Sequence, residues 1–493
     1  MRTCGKIAII LVLSAFSMPY CFAINDNSTS VIKHATAPLT LKDCISKALN
    51  NSPMIKRAKI NYEMAKKNVK IAQSVYFPTV SAGVGYDFTN REGSRINSTN
   101  TNGFNVRAGI SQLIWNFGKT GANIKMQKFN KIVAAYDFDT MVLDTIYDVK
   151  VKYFSTLAAK AAIEIDNANL QINERNYQRT KAYFEEGLKS KIDLVNSEVY
   201  VTDAKVSLIG SENLYKNALN TLNNSMYLAY NPEYNIEVPK EFREVKDVTP
   251  KSLTDFSKPL DELLAPPKDI ENALLSGSVD TTDYAALYKF KKFPYSFEKC
   301  LEIANKNRPD IKAYENTIKA MEQYVNLIKR QYFPELSASG TYNFNAGSTN
   351  SNSSTTNTFG VGVNLSSSLN IMNEKYQIDN AKLQLDLAKN ELDLLSQNVY
   401  FEVQQAYINM MEFEEQIPLL EQKIKQTLEN LELADGRYSV GLGDYIELQD
   451  AKVNYNNAQH SFVRAVFNYN VAKAKLEQAI AMEQEVTVKL EGK

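Results

Sequence analysis

Apolar residues recur along this chain at two spacings, two apart in a few short stretches and three or four apart over very long ones. Val80, Ala82, Val84, Tyr86 and Phe88 alternate with Thr79, Ser81, Gly83, Gly85 and Asp87. Phe104, Val106, Ala108 and Ile110 alternate with Asn105, Arg107, Gly109 and Ser111. Leu336 to Phe344 and Phe359 to Leu365 repeat the same alternation. Period two with one apolar and one polar face predicts strands, over about 77–90, 103–115, 333–346 and 358–370. Strands of roughly ten residues with aromatics near their ends fit a transmembrane barrel. Phe88, Phe104, Phe344 and Phe359 would mark its outer rim, and Tyr76, Trp115 and Tyr332 its inner rim. The polar stretches Thr89 to Gly103 and Gly347 to Thr358 read as loops facing the cell exterior.

The other period covers residues 119–183 and 373–435, each long enough for a helix of about 90–100 Å. Ala381, Leu385, Ala388, Leu392, Leu395 and Val399 step by four and three. After an extra step of four to Val403, the seam resumes at Ala406, Met410, Phe413, Ile417, Leu420 and Ile424. That stutter locally unwinds a left-handed supercoil, and Pro418 is expected to kink or loosen the helix. Glycine turns follow at Gly187 and Gly441. The returning helices alternate small and large seam residues. One carries Ala451, Tyr455, Ala458, Phe462 and Ala465, and the other Ser197, Val201, Ala204, Leu208 and Ser211. Such seams predict two antiparallel coiled-coil hairpins.

The two halves are copies. An offset of 256 carries Cys44 to Cys300, Pro53 to Pro309, and Tyr76-Phe77-Pro78 to Tyr332-Phe333-Pro334; near the tips the offset is 254. The expected organisation is a first repeat over 24–231, a proline-punctuated insert over 232–294, a second repeat over 295–484 and a tail over 485–493. Residues 1–23 read as a secretory signal, with basic Arg2 and Lys6, the apolar run Ile7 to Phe16, and small residues before a cut after Ala23. Cys44 and Cys300 then remain, too few for a disulfide framework, and are expected as buried free thiols.

Lys plus Arg and Asp plus Glu both number 56, which gives no basic excess for nucleic acid. The two histidines are His34 and His460, and no phosphate loop, Cys-x-x-Cys or His-Glu-x-x-His motif occurs. Neither enzyme chemistry nor a cofactor or metal is expected. Four strands cannot close a membrane barrel, whose smallest forms use about eight, and lipid tolerates no open edge. Several copies must therefore share one barrel. The reading from another class is a trimeric coiled-coil stalk or adhesin of the cell envelope.

The duplicated Asn-x-Pro helix, the Tyr-Phe-Pro entries, the Gly118 turn after Ile114-Trp115-Asn116-Phe117 and the glycine tips together resemble the TolC family of outer-membrane efflux proteins. The resemblance covers nearly the whole chain after the signal. It implies a homotrimer in outer-membrane lipid, with a twelve-stranded barrel, a periplasmic helical tunnel and an equatorial insert. It also implies partners, a periplasmic adaptor and an inner-membrane pump of RND, ABC or MFS type, serving efflux or type I secretion. Tyr438-Ser439-Val440-Gly441 is similar to the family's tip motif. Glu447 and Asp450, three apart on one helical face, fall where the family places the acidic ring of its gate. Asp193 and Tyr438 match positions that hold neighbouring coils together in the closed state. Gly443 stands where the family has an arginine, which implies a weaker latch.

Overall fold

The computed structural model describes residues 39–93, 96–228, 234, 236, 291–349 and 352–482. The signal segment, nearly all of the insert and the tail lie outside the described residues. Helices α1 (Leu41–Asn51) and α2 (Pro53–Ser74) lead into strands β1 (Thr79–Gly93) and β2 (Ile96–Trp115). The long helix α3 (Lys119–Glu185) and the returning α4 (Lys191–Ser225) follow. The second half repeats this order as α5 (Phe297–Asn307), α6 (Pro309–Arg330), β3 (Glu335–Thr349), β4 (Asn352–Ser366), α7 (Ile371–Ser439) and α8 (Tyr445–Ala479).

Local chemistry explains the breaks. Pro53 and Pro309 start α2 and α6, where a missing N–H costs nothing. Ser52 caps α2 by accepting from Ile55 N at 3.3 Å. Arg308 cannot cap α6; its guanidinium instead bridges Asp310 at 2.6 Å and Glu402 at 2.7 Å, tying α6 to α7. At Gly118 the chain turns into α3 with φ 80°, and an added Cβ would meet the Arg330 guanidinium.

α3 has 67 residues and α7 has 69, so each runs about 100 Å. α7 continues unbroken through Pro418. α4 folds back on α3 and α8 on α7, and the two halves join where α3 packs on α6 above and on α8 below. The antiparallel sense of the first pair is visible in its cross-links: Thr156 Oγ1 donates to Ala218 O at 3.2 Å, and Lys205 approaches Glu174 to 3.4 Å nearer the tip. The seam from Ala451 through Tyr455, Ala458, Phe462, Ala465, Tyr469, Ala472 and Leu476 to Ala479 is buried throughout. It joins a continuous apolar core with Phe138, Val149, Tyr153 and Leu157 of α3 and Cys44, Ile45, Ala48 and Leu49 of α1. Cys44 and Cys300 are free and fully buried.

The four strands form one antiparallel sheet in the order β1-β2-β3-β4. Its register gathers the apolar positions on one face. Val80, Ile110, Gly340 and Val361 form one row, Ala82, Ala108, Tyr342 and Phe359 the next, and Val84, Val106 and Phe344 a third. The other face carries Ser81, Gly109, Thr341 and Gly360, then Gly83, Arg107, Asn343 and Thr358. The apolar face is bare: Val80 is 75% and Val361 76% exposed. The stretches expected as loops are corrected here. β1 pairs with β2 through Thr89–Thr101 and Arg91–Thr99, and β3 with β4 through Thr349–Asn352, so most of each polar stretch is strand. A backbone ladder needs no apolar side chains, and threonine favours it. Among the described residues no helix is long and apolar enough to cross a membrane.

Candidate gate at the coiled-coil tip

Both helical hairpins turn at a glycine in the left-handed region, Gly187 at φ 74° and Gly441 at φ 75°. Leu188 N donates to Tyr183 O at 2.8 Å and Leu442 N to Arg437 O at 3.0 Å, which absorbs carbonyls left open at the helix ends.

Past the turns the two halves differ. α4 opens with a capping box: Asp193 N donates to Ser190 Oγ at 3.3 Å, and Ser190 N to Asp193 Oδ2 at 3.2 Å. Asp193 is thus engaged with its own helix. α8 opens at Asp444, whose side chain makes no cap bond. Glu447, the counterpart of Asp193, is left exposed, with Arg437 Nη1 3.4 Å from its Oε1. Asp450 is exposed on the same face, while Leu448 and Gln449 between them are buried. At Gly443 an added Cβ would lie 3.0 Å from Arg437 Cβ and from Tyr438 N. A side chain there would need its neighbours to give by a few tenths of an ångström; the cation beside Glu447 is Arg437, six residues before Gly443.

Behind the exposed acids lies a buried polar cluster. The Tyr438 ring is buried, with Lys189 Nζ 4.3 Å and the Arg179 guanidinium 5.4 Å from its centroid. Its hydroxyl is 3.4 Å from Thr180 Oγ1, and burial raises its pKa. Arg179 Nη2 donates to buried Asp435 at 2.7 Å. Lys452 is 5% exposed and its Nζ has no hydrogen-bond partner. Burial, with the charges of Arg179 and Arg175 and against that of Asp435, pulls its pKa down to about 7. Higher on the same seam, buried Asp166 meets His460 Nε2 at 2.8 Å and accepts from Ser211 Oγ. Burial opposes its charge, but these bonds outweigh that and hold its carboxyl below the usual range. The α3–α8 contact is therefore polar toward the tip and apolar toward the equator.

Arg437, Arg179, Asp435 and Lys452 were not singled out from the sequence. Lys452 had a legible signal: Tyr445, Lys452, Gln459 and Val466 step by seven beside the main seam, a second buried column on a helix that packs on two neighbours. Among the described residues no group of three or more His, Cys, Asp or Glu could hold a metal ion.

The sequence matches the model of the family described as "Outer membrane efflux protein" over residues 44–226 and 300–482, most of each repeat. The chain belongs to the outer membrane efflux protein family. As a member of that family it is an outer-membrane protein, with a large periplasmic part. Curated relatives are distant. TolC of Vibrio cholerae is 22% identical over 169 residues, 33% of this chain and 38% of that protein. Toxin and drug export protein A of Aggregatibacter actinomycetemcomitans is 26% identical over 171 residues, 33% and 37% of the two chains. The chain thus spans less than half the length of the curated relatives it matches. Solved structures match more fully. The outer-membrane channel OprN aligns with TM-score 0.66 at 16% identity, over 89% of both chains. CusC aligns with TM-score 0.67 at 16% identity, over 89% of this chain and 91% of that one. Likeness at such identity establishes the efflux-channel fold.

Proposed function

We propose that three copies of this chain close a twelve-stranded barrel in the outer membrane, continued below by a helical tunnel. The assembly is a passive exit duct from periplasm to exterior. It works with a periplasmic adaptor and an inner-membrane pump, in efflux or type I secretion. The observation that carries this reading is a sheet with one bare apolar face and two open edges, on β1 and β4. Lipid covers such a face but does not tolerate such edges. Each edge continues below as an unpartnered apolar column. Under β4 run Leu387, Leu394, Phe401 and Ile408 of α7, and under β1 run Ile60, Met64 and Ile71 of α2, then Val199 and Val206 of α4. The two edges differ, so copies join head to tail, and a ring results where the rotation closes, here after three copies. Twelve strands leave an open lumen, whereas eight fill their own interior. A coiled-coil stalk has no use for the bare sheet.

In this assembly three Glu447 and three Asp450 ring the tip, and Arg437 stands beside Glu447 as the latch cation in place of the family arginine missing at Gly443. Acidic rings favour cations and bind multivalent ones. Purified protein in a planar bilayer should conduct, prefer cations and be blocked by trivalent cations. Glu447→Ala with Asp450→Ala should weaken block and preference and leave the trimer intact. A folded trimer that passes no ions would return the chain to the stalk reading; unchanged block in the double variant would remove these two acids from the gate.

A further inference from the structure

The chain contains its own template for the contact between copies. β2 ends the first repeat's hairpin and β3 begins the second's, and the two pair directly, Ala108 against Tyr342 and Val106 against Phe344. β4 and β1 are the same two kinds of strand, each with an edge left open. The hairpins fix the correspondence. Val80 faces Ile110 and Leu336 faces Leu365, so β1 maps onto β3 with a shift of 256 residues and β2 onto β4 with a shift of 255. Applying both shifts to the β2–β3 ladder yields one register for β4 on another copy.

We propose that β4 pairs with β1 of the neighbouring copy so that Leu365 faces the partner subunit's Val84, Val363 the partner subunit's Tyr86 and Val361 the partner subunit's Phe88. This rests on the trimer reading and specifies its interface. The register keeps apolar opposite apolar. A slip of one residue would set Val363 against Gly85 or Asp87 and turn the apolar row of one strand to the lumen. It also sets each β1 aromatic against a valine, a pairing that favours antiparallel strands. One feature of the template does not carry over. Between repeats, the base of the sheet is tied by Lys119 to Glu335 at 2.8 Å and by Arg330 to Gly118 O at 3.0 Å. The same shifts lead to Glu374 with Thr79 and to Asn373 with Ser74, which form no ion pair. The junction between copies depends on its ladder and apolar columns, and separates before the junction between repeats.

Cysteine pairs test the register. Facing residues on antiparallel strands lie about 4.5–5.5 Å apart at Cα, within disulfide reach. Buried Cys44 and Cys300 stay out of mild oxidation, because burial pushes their thiols up to about 12 and about 11. Tyr86→Cys with Val363→Cys should convert most of the protein to covalent dimers and trimers on a denaturing gel, reversed by reductant. Val84→Cys or Phe88→Cys with Val363→Cys, each two residues out of register, should give little product. Val84→Cys with Leu365→Cys reports the same register if the first pair does not fold. Preferential linking of an out-of-register pair overturns the register and leaves the ring standing. So does a trimer by native mass in which no pair links. A monomer by native mass overturns the trimer reading and the register with it.

Discussion

α4 and α8 are the same element twice, each 35 residues long and each returning from a glycine tip. Ser197, Ala204, Ser211, Ala218 and Ser225 of α4 correspond to Ala451, Ala458, Ala465, Ala472 and Ala479 of α8. Yet nineteen residues of α8 are buried and only seven of α4. α8 lies between α3 and α7, whereas α4 packs on α3 and leaves its other flank bare. Duplication supplied one seam twice; position decides how much of it a single chain can cover. Where the second repeat is interior, its helix carries Tyr455 and Phe462 as seam knobs, and the first repeat has Val201 and Leu208 at the equivalent places.

The sharpest way to break this comparison is to cut equivalent knobs. Phe462 is fully buried between two helices, and Phe462→Ala should cost about 3–5 kcal/mol through lost transfer energy and the cavity left behind. Leu208 is half-buried, and Leu208→Ala should cost roughly half as much. The first should lower the melting of helix itself, followed by circular dichroism in detergent. The second should show mainly as earlier dissociation of the assembly. Equal losses of helix stability would mean that the two flanks are equally supported.

The buried polar seam offers a second, smaller contrast, because α8 holds Lys452 where α4 holds exposed Glu198. The native pKa of Lys452, about 7, lies below its ordinary value, so the opened state binds more protons between about pH 7 and pH 10. Stability of the α3–α8 contact should therefore rise with pH across that window and carry the full penalty below it. The groups that face Lys452 are Arg179 and Arg175 on α3 and Asp435 on α7, and the two cations outweigh the acid. Lys452→Met should flatten the pH dependence and stabilise the seam by about 1–4 kcal/mol, as replacement of poorly compensated buried charge often does. Melting temperatures at pH 6 and pH 9 for both proteins decide it. Wild type that melts no lower at pH 6, relative to the variant, would mean that Lys452 finds a partner.

Much of the fold was legible because two periods dominate it. A step of two put the apolar strand positions on one face, and steps of three and four marked the seams of α7 and α8. What was not legible has physical causes. The outer parts of β1 to β4 are paired through Thr, Asn and Ser, and a ladder built of backbone bonds leaves no hydrophobic alternation to read. The seven-step column through Lys452 lay beside a stricter seam, and only packing on two neighbours makes it core. For the tip, exposed Glu447 and Asp450 look like any solvated face, so family resemblance had to single them out. Arg437 reaches Glu447 across the turn, and Gly443 lies close against the Arg437 and Tyr438 backbone, facts of three-dimensional packing that no spacing encodes.

The smallest effect separates the two helix starts. Ser190 closes a reciprocal box with Asp193, whereas Asp444 begins α8 with no side-chain bond to the orphan amides. Replacing a capping serine by alanine costs about 1 kcal/mol, which speeds exchange in the first turn about fivefold if opening is local. Asp444→Ala forfeits only the attraction between a carboxylate and the helix N-terminus, a few tenths of a kcal/mol when exposed, and should change exchange by less than about twofold. The measurement is hydrogen exchange of the amides of residues 191–195 and 445–449 in the assembled protein. Ser190→Ala removes the hydroxyl from the box but leaves the backbone N–H of residue 190 donating to Asp193, so Asp193 stays engaged with its own helix. If the two substitutions changed exchange equally, Asp444 would be a working cap in solution. The difference between the two tips would then rest on the partners of the acids themselves, Arg437 beside Glu447 and the Ser190 N–H beside Asp193.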